Sequence, residues 1–295
     1  MKNHSHNRTV SRRGFIGTVL MATAAGSLLS SCSNDPWQIG CYTRAWGNRN
    51  YLVSLDGMAE AGFKYAGLST HDKGRVVDLN TTPEVAATVG EEIKKRGLTL
   101  VTNSGGSFDA TKGVDEGIIQ LRRLIDNSAI CGAPVIQIND MSKPELIDTF
   151  YKVIAECSDY AFEKGVMITL KPHGSTGAQC RVYVDKVAHK NFKLWYDPGN
   201  VSYYTEGKVN PVDDANSLDG VVVGMAVKDF KLPKDVNITP GTGMVDFPAL
   251  IARLKVGGFR SGPLIIECLN PGDIPFINAE AEKAKEYIEK ITGQI

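Results

Sequence analysis

The sequence lacks an excess of either charge. Among its 295 residues, lysine and arginine together number 33, and aspartate and glutamate also number 33. This balance gives no electrostatic reason to expect a nucleic acid as a partner, because phosphate backbones are bound by clustered positive charge. After the N-terminus, no apolar stretch reaches the ~20 charge-free residues that a membrane-spanning helix needs. The composition therefore favours a globular domain without a spanning helix of its own.

Cysteine spacings typical of zinc or redox sites are also missing. Five of the six cysteines lie beyond the N-terminus, and none of them belongs to a CxxC pair. Several lie in apolar runs, which fits buried small side chains better than a disulfide framework or a zinc site. The five are Cys41, Cys131, Cys157, Cys180 and Cys268.

The N-terminus has the features of an export signal. A twin arginine, Arg12-Arg13, precedes an apolar stretch at residues 18–29, an arrangement that resembles a Tat signal. The alternative is an ordinary secretory signal that contains a twin arginine by chance. On either interpretation, we expect residues 1–32 to be a signal and the remainder to be exported.

A lipid attachment site is predicted at the end of this signal. Residues 29–32 read Leu-Ser-Ser-Cys, which resembles a bacterial lipobox in which Cys32 is lipidated and becomes the new N-terminus. A single lipid-bearing cysteine implies a tethered domain and not a spanning protein. We therefore expect residues 33–295 to be anchored by lipid in the periplasm or at the outer membrane.

From Trp37 onward, short apolar runs alternate with amphipathic helical segments. Strands are predicted at residues 38–42, 64–69, 98–102, 134–138, 166–170, 192–196, 221–227 and 263–267. Helices are predicted at residues 52–61, 83–96, 114–130, 143–164, 178–187, 248–256 and 279–291. Eight alternations in about 260 residues match a single-domain (β/α)8 TIM barrel. An open doubly wound sheet is the alternative, but no GxGxxG follows the first strand.

Polar groups gather directly after four of the predicted strands. These segments are residues 171–173 (Lys-Pro-His), 196–200 (Tyr-Asp-Pro-Gly-Asn), 227–229 (Val-Lys-Asp) and 266–268 (Ile-Glu-Cys). The carboxyl ends of the strands form the ligand-binding face of a parallel α/β fold. We therefore expect five side chains to converge at the barrel mouth: Lys171, His173, Asp197, Lys228 and Glu267.

The order of these motifs resembles the sugar phosphate isomerase/epimerase family. The similarity rests on residues 194–200, Lys228-Asp229, residues 241–247 and residues 262–267, and it covers essentially the whole exported domain in order. The family has the xylose isomerase-like barrel, which is shared with AP endonuclease type 2. The resemblance implies a barrel enzyme that acts on carbohydrate.

The resemblance also implies a metal site, which this sequence only partly retains. Members of the family typically hold one divalent metal with a Glu, an Asp, a His and a Glu after strands five to eight. Asp197 and Glu267 match the second and fourth ligands, but Lys171 and Ala226 replace the other two. A divalent metal is therefore an open expectation, at a weak site formed by Asp197, Glu267 and His173.

Lys171 admits three interpretations. It could pair with Asp197 or Glu267 and replace the charge of the metal, because a buried lysine needs a carboxylate partner. It could act in catalysis as a general base, a cation or a Schiff-base amine, or it could reach solvent. His173 lies two residues further on and is expected on the same face. His71, after strand two, could reach the same mouth.

Other residues are candidates for binding a sugar. Trp46, near the end of strand one, offers an aromatic face, as do Trp195, Tyr203 and Tyr204. Gln137 and Asn139, two apart on strand four, could bind hydroxyl groups. Asn200 lies in the turn expected at residues 197–200. The loop at residues 103–106 resembles a phosphate-gripping backbone, although it lacks a GK[ST] motif.

These features favour an exported carbohydrate-active enzyme that works next to a sugar carbonyl, by isomerisation, epimerisation or a related elimination. Such chemistry needs a base near the acidic carbon and positive charge near the developing oxyanion. Glu267 is the candidate base, and Lys171 and Lys228, or a bound metal, would stabilise the oxygen. Export favours a neutral or oxidised sugar as the substrate over a cytosolic sugar phosphate.

Two other functions fit the same residues. One is a metal-free Schiff-base lyase that uses Lys171. The other is a surface lipoprotein that binds glycan without catalysis, which the loss of two metal ligands makes credible. The oligomeric state is not indicated by the sequence.

Overall fold

Eight parallel strands form a closed barrel in the computed structural model, which describes residues 36–293. The barrel strands are β1 (Trp37–Tyr42), β2 (Tyr65–Leu68), β3 (Thr99–Asn103), β4 (Val135–Asn139), β5 (Met167–Lys171), β6 (Phe192–Tyr196), β7 (Val222–Val227) and β8 (Gly262–Ile266). The barrel closes where β1 pairs with β8, with Trp37 opposite Gly262. The predicted (β/α)8 barrel is confirmed. The predicted signal and Cys32 lie outside the described residues.

Helices follow the barrel strands. They are α1 (Tyr51–Glu60), α2 (Pro83–Lys95), α3 (Gly113–Cys131), α4 (Ile147–Glu163), α5 (Gly177–Val187), α6 (Pro198–Tyr204), α7 (Pro211–Asp214), α8 (Phe247–Val256) and α9 (Ile274–Thr292). Two expected end signals are present: Gly97 adopts φ 70° after α2, and Asp246 caps α8 by accepting the Ala249 N–H at 3.0 Å. Within residues 36–293, no helix combines the length and apolarity needed to cross a membrane.

Several elements differ from the sequence prediction, among them α7, which was not predicted. The turn expected at residues 197–200 is the start of α6, because Asp197 caps it through the Asn200 N–H at 2.8 Å and Pro198 has no N–H to leave unpaired. A small hairpin, Thr70–His71 with Gly74–Arg75, follows β2. The helix predicted from residue 143 begins with a 3₁₀ turn, Pro144–Leu146, before α4.

Bulky side chains fill the barrel interior and set the orientation of the residues above them. Tyr42, Trp195, Ala226 and Ile265 pack together in one cluster. Trp195 fits because Gly224 has no side chain, since a Cβ there would lie 2.3 Å from the indole ring. Alternate residues of a strand share one face, so the residues two positions beyond Trp195, Ala226 and Ile265 also point inward. This alternation places three ionisable side chains at the mouth: Asp197, Lys228 and Glu267.

The five cysteines predicted to be small core residues are buried and free. Burial raises the pKa of Cys131 and of Cys157 to about 11. Both groups are therefore protonated thiols at neutral pH, and they contribute to packing.

Candidate active site

Lys171 lies between two buried carboxylates at the floor of the barrel mouth. Its Nζ is 3.1 Å from Asp197 Oδ2 and forms a close ion pair with Glu267 Oε2. Lys171 ends β5, and Asp197 and Glu267 directly follow β6 and β8. The expected pairing of Lys171 with Asp197 or Glu267 is therefore present, with both partners at once.

Two further cations approach Glu267 from its other oxygen. Lys228 Nζ lies 3.1 Å from Glu267 Oε1, and Arg44 Nη1 donates to the same oxygen at 2.7 Å. Lys228 Nζ is also 4.0 Å from Asp197 Oδ2. The floor thus contains three cations and two carboxylates, which leaves it with a net positive charge.

The ionisation of the floor follows from these contacts. Burial raises the pKa of the Glu267 carboxyl, but Lys171, Lys228 and Arg44 outweigh this effect and hold the pKa well below its usual range. Burial lowers the pKa of Lys228, but the negative charges of Glu267 and Asp197 raise it by more, so the net shift is upward. Glu267 and Lys228 are therefore charged at neutral pH, and Glu267 is a weak base.

The floor does not fit the metal site that the resemblance implied. The Lys171 ammonium lies between Asp197 and Glu267, the two carboxylates that would have to bind the metal. Its positive charge would repel a divalent cation bound by the same oxygens. Within residues 36–293, no three His, Cys, Asp or Glu side chains are grouped to hold a metal ion. The expected set of Asp197, Glu267 and His173 is not assembled, because the His173 ring packs against Tyr204 instead.

His173 and Tyr204 form a second polar pair, at the rim of the mouth. The Tyr204 hydroxyl lies 3.0 Å from the His173 ring nitrogens. Burial lowers the pKa of His173, and Lys171 and Lys228 lower it further. Asp140 fixes the segment by accepting the His173 backbone N–H and the Ser175 hydroxyl. The imidazole is therefore neutral at pH 7 and can accept a proton.

Asn200 holds the floor together. Its Oδ1 accepts from Lys228 Nζ at 2.8 Å, and its Nδ2 donates to the Pro172 carbonyl at 2.7 Å. The preceding residue, Gly199, is needed because a Cβ there would lie 2.6 Å from the Lys228 side chain. Asn200 borders the cavity, as expected for a substrate contact, and its amide also positions the Lys228 ammonium.

Asp229 explains why the Lys-Asp and Gly-Thr-Gly motifs occur together. Its carboxylate accepts four backbone N–H groups, from Phe230, Gly241, Gly243 and Val245, at 2.8 to 3.0 Å. A Cβ at Gly243 would lie 2.3 Å from Asp229 Oδ1, so the close approach requires glycine. Asp229 points away from the cavity and fixes the segment that follows β7.

A cavity of about 360 Å³ opens above the floor. It is lined by charged and polar side chains: Arg44, Ser69, Thr70, Arg75, Ser104, Asn139, Lys171, His173, Asn200, Tyr203, Tyr204, Lys228, Lys234, Asn237 and Glu267. Four residues expected to act in catalysis, Lys171, His173, Lys228 and Glu267, all border it. The cavity is thus the candidate active site.

Three residues considered for substrate binding lie elsewhere, and one of them, Trp195, is buried in the barrel interior. Trp46 is fully buried and donates its indole N–H to Asn278 at 2.8 Å, because the short 3₁₀ turn after β1 directs it toward α9. Gln137 is buried inside the barrel, where its amide donates to Tyr42 and Thr102. The expectation of substrate contacts from Trp46 and Gln137 is therefore corrected. Asn139 does border the cavity.

Sequence reasoning missed three cations of the cavity. Arg44 follows β1 at the inward-facing position two residues beyond Tyr42, so the alternation used for the other strands could have found it. Arg75 lies on the unpredicted hairpin, and Lys234 lies in the long segment after β7. Neither position carries a periodic signal that could have placed it at the mouth.

Most of the chain matches a known protein family. Residues 55–291 match the family model described as xylose isomerase-like TIM barrel. The fold is similar to a xylose isomerase domain protein from Planctomyces limnophilus, with TM-score 0.68, 17% identity, and coverage of 88% of this chain and 98% of that one. A search of curated proteins by sequence finds no match.

Two sugar epimerases share the fold at similarly low identity. A D-psicose 3-epimerase solved in the presence of D-fructose has TM-score 0.69 and 16% identity, over 87% of this chain and 99% of that one. A D-allulose 3-epimerase from Methylomonas sp., in complex with D-allulose, has TM-score 0.65 and 18% identity, over 87% and 97%. Identities this low show a shared fold.

Proposed function

Because the chain belongs to the xylose isomerase-like TIM barrel family, we propose that it transfers a proton at the carbon next to the carbonyl of a sugar, as an isomerase or epimerase. The observation that carries the proposal is the pairing of a net-positive floor with a neutral imidazole across one cavity. Lys228 and Arg44 supply positive charge for the oxyanion that forms when the carbon loses its proton. His173 would accept that proton.

The roles of the two candidate bases follow from their surroundings. Both oxygens of Glu267 are bound by cations and its pKa is held low, which makes it a poor base and a good anchor for the ammonium groups. His173 has a lowered pKa and borders the cavity. We therefore assign proton transfer to His173, oriented by Tyr204, and assign Glu267 to positioning Lys171, Lys228 and Arg44.

The expected Schiff-base lyase is less well supported by the geometry. The Lys171 ammonium directs its donors at Asp197 and Glu267, whereas a Schiff base requires a free amine that attacks a carbonyl. Borohydride treatment in the presence of a keto sugar should therefore leave the chain without a covalent adduct. A trapped adduct on Lys171 would restore this alternative.

Deuterium exchange tests the function whatever the product of the reaction is. The purified full-length chain is incubated in heavy water with neutral ketoses and with ketose acids, with and without a chelator, and NMR detects deuterium at the carbon next to the carbonyl. His173→Gln should lower the exchange rate about 10²- to 10⁴-fold, whereas the exposed Lys231→Gln should leave it unchanged. Sugar binding without exchange on any substrate would instead support the non-catalytic glycan-binding lipoprotein.

The cellular location remains a proposal alongside the chemistry. The twin arginine and the Leu-Ser-Ser-Cys segment support export and lipid attachment at Cys32. An exported enzyme would meet sugars released outside the cytoplasm, which is consistent with a substrate that is not a phosphate ester.

A further inference from the structure

The cavity carries more positive charge than its carboxylates balance. Five cations line it, Arg44, Arg75, Lys171, Lys228 and Lys234, and Glu267 is the one carboxylate among the described lining residues. Asp197 lies next to Lys171 and adds a second carboxylate. Arg44 contacts Glu267, and Lys171 and Lys228 contact both carboxylates. Arg75 and Lys234 are therefore the two lining cations that form no ion pair within residues 36–293.

Arg75 is held in place by neutral groups of Ser104. Its Nη1 donates to the Ser104 carbonyl at 2.7 Å and to the Ser104 hydroxyl at 3.2 Å. None of the ion pairs within residues 36–293 includes Arg75. Burial lowers the pKa of Arg75, which reflects a partly desolvated guanidinium. Since Ser104 occupies Nη1, the remaining N–H groups are available to an acceptor in the cavity.

Lys234 offers a second cation of the same kind. Its Nζ lies 4.9 Å from the centre of the Tyr203 ring, and it likewise belongs to no ion pair of the described chain. The hairpin after β2 supplies Arg75, and the segment after β7 supplies Lys234. The two cations therefore come from separate loops of the rim and border the same cavity.

Neutral polar groups in the cavity are also available to a ligand. The Ser69 hydroxyl and the Asn139 amide border the cavity. Neither side chain donates or accepts a hydrogen bond within residues 36–293, since the bond from Ser69 to the Thr43 hydroxyl is donated by the Ser69 backbone N–H. Hydroxyl and amide groups of this kind match the hydroxyls of a sugar. A volume of about 360 Å³ lies at the small end of ligand pockets, which suits a monosaccharide.

We propose that the substrate is a sugar acid, whose carboxylate is bound by Arg75 and Lys234 while its carbonyl lies over Lys228 and Arg44. This assignment rests on the proposed proton transfer and names its substrate class. A planar guanidinium edge matches a carboxylate. A phosphate is less well served, because the glycines of the 103–106 loop do not border the cavity, and a Cβ at Gly105 would lie 2.5 Å from the Val77 carbonyl.

Binding measurements test the substrate class separately from turnover. Titration calorimetry with the full-length chain compares D-glucuronate and D-galacturonate with D-glucose, D-galactose and D-glucose 6-phosphate. The uronates should bind at least about tenfold more tightly than the neutral sugars, and more weakly at high salt. Arg75→Gln should weaken uronate binding more than neutral-sugar binding and so remove this preference, since the glutamine amide can still donate to Ser104 but carries no charge. Lys231→Gln, on the same segment as Lys234 but outside the cavity, is the matched control.

Each outcome decides the proposal. Equal affinity for uronates and neutral sugars would overturn it, as would an equal loss of affinity for both in Arg75→Gln. It would also be overturned if neither uronate binds. Tighter binding of glucose 6-phosphate than of the uronates would overturn it in favour of a phosphate ester. The two proposals fail separately. Uronate binding without deuterium exchange on ketose acids leaves the substrate class standing and removes the proton transfer. Deuterium exchange on neutral ketoses but not on ketose acids leaves the proton transfer standing and removes the sugar-acid substrate.

Discussion

The Lys171 ammonium lies 3.1 Å from the Asp197 carboxylate and also contacts Glu267. The resemblance implies an anionic metal ligand at the position of Lys171. On that comparison, Lys171 places a cation where a ligand would lie, at the centre of the site. The ammonium pairs with both carboxylates, and it repels a divalent ion from the same position.

Metal affinity should consequently be weak in the native chain and should increase when the missing ligands are restored. The double substitution Lys171→Glu with Ala226→His removes the repelling charge and adds two donors, which should tighten Mn²⁺ or Zn²⁺ binding by at least about tenfold. Calorimetric titration of the purified proteins measures the change.

The single substitution Lys171→Glu is the companion to this test. Ala226 is fully buried against the barrel interior, so a histidine there could disturb packing, whereas residue 171 borders the cavity. Lys171→Glu alone should give an intermediate gain. Elemental analysis that finds one tightly held divalent ion per native chain would contradict the prediction.

Glu267→Gln should destabilise the fold. The carboxylate is buried and contacts three cations, and removing one partner of a buried ion pair typically costs about 3–5 kcal/mol. Urea denaturation should show this loss in the free energy of unfolding. The exposed Glu282→Gln should change it by less than about 0.5 kcal/mol.

A double-mutant cycle separates this effect from a local packing change. Glu267→Gln combined with Lys171→Met should cost less than the sum of the two single substitutions, because each removes the partner that the other leaves unpaired. If the losses in the free energy of unfolding are additive, the ion pair between Lys171 and Glu267 does not itself stabilise the fold.

The pH dependence of His173 has a defined sign. Burial, Lys171 and Lys228 lower its folded pKa below the ordinary value of 6.5, so the unfolded chain binds the proton more readily. The contribution of neutral His173 to stability is therefore complete above about pH 6.5 and is lost as the pH falls through the folded pKa. An NMR titration should give a midpoint below about 6.5 for the ring, and exchange activity should persist down to that midpoint.

Lys228→Met provides the matched comparison, because removing one nearby cation should raise the His173 midpoint toward its ordinary value. Lys231→Met should leave it unchanged. A native midpoint at or above about 6.5, or one that does not respond to Lys228→Met, would remove the electrostatic basis for His173 as a neutral base.

The sequence predicted the barrel well because its signals are local and repeated. Each strand is a short apolar run, and a glycine such as Gly97 ends the helix before the next strand. The same alternation placed Lys171, Asp197, Lys228 and Glu267 at one mouth, since residues after parallel strands share an edge. It failed for Trp46, because a 3₁₀ turn after β1 changes the direction of the chain.

The contacts made by the site residues were harder to predict from the sequence than their positions at the barrel mouth. The sequence showed Asp197 beside Pro198 and Gly199, which are turn formers, and only the structure shows that its carboxylate caps α6. Arg75 and Lys234 lie on segments with no helical or strand period, so nothing in the sequence indicated that they border the cavity. Long-range contacts of this kind depend on loop conformations that local patterns do not specify.

Asp229→Asn should loosen the segment after β7. The carboxylate accepts four backbone N–H groups, whereas an asparagine has one carbonyl oxygen and would leave part of this set unpaired, at about 1–3 kcal/mol for each buried group. Hydrogen exchange at Gly241, Gly243 and Val245 should accelerate and the melting temperature should fall. Asp235→Asn, on the exposed part of the same segment, should have little effect, and unchanged protection in Asp229→Asn would show that other contacts hold the segment.

Cys32→Ala should release the protein from the membrane fraction. The described residues contain no helix that could span a bilayer, so the lipid on Cys32 is the membrane attachment that the sequence predicts for the exported chain. Cell fractionation followed by mass spectrometry of the N-terminal peptide measures both location and lipidation. Cys157→Ala is the control, because its thiol is buried against α3 within the fold and cannot receive a lipid. Cys32→Ala protein that remains in the membrane fraction would refute lipid anchoring at this residue.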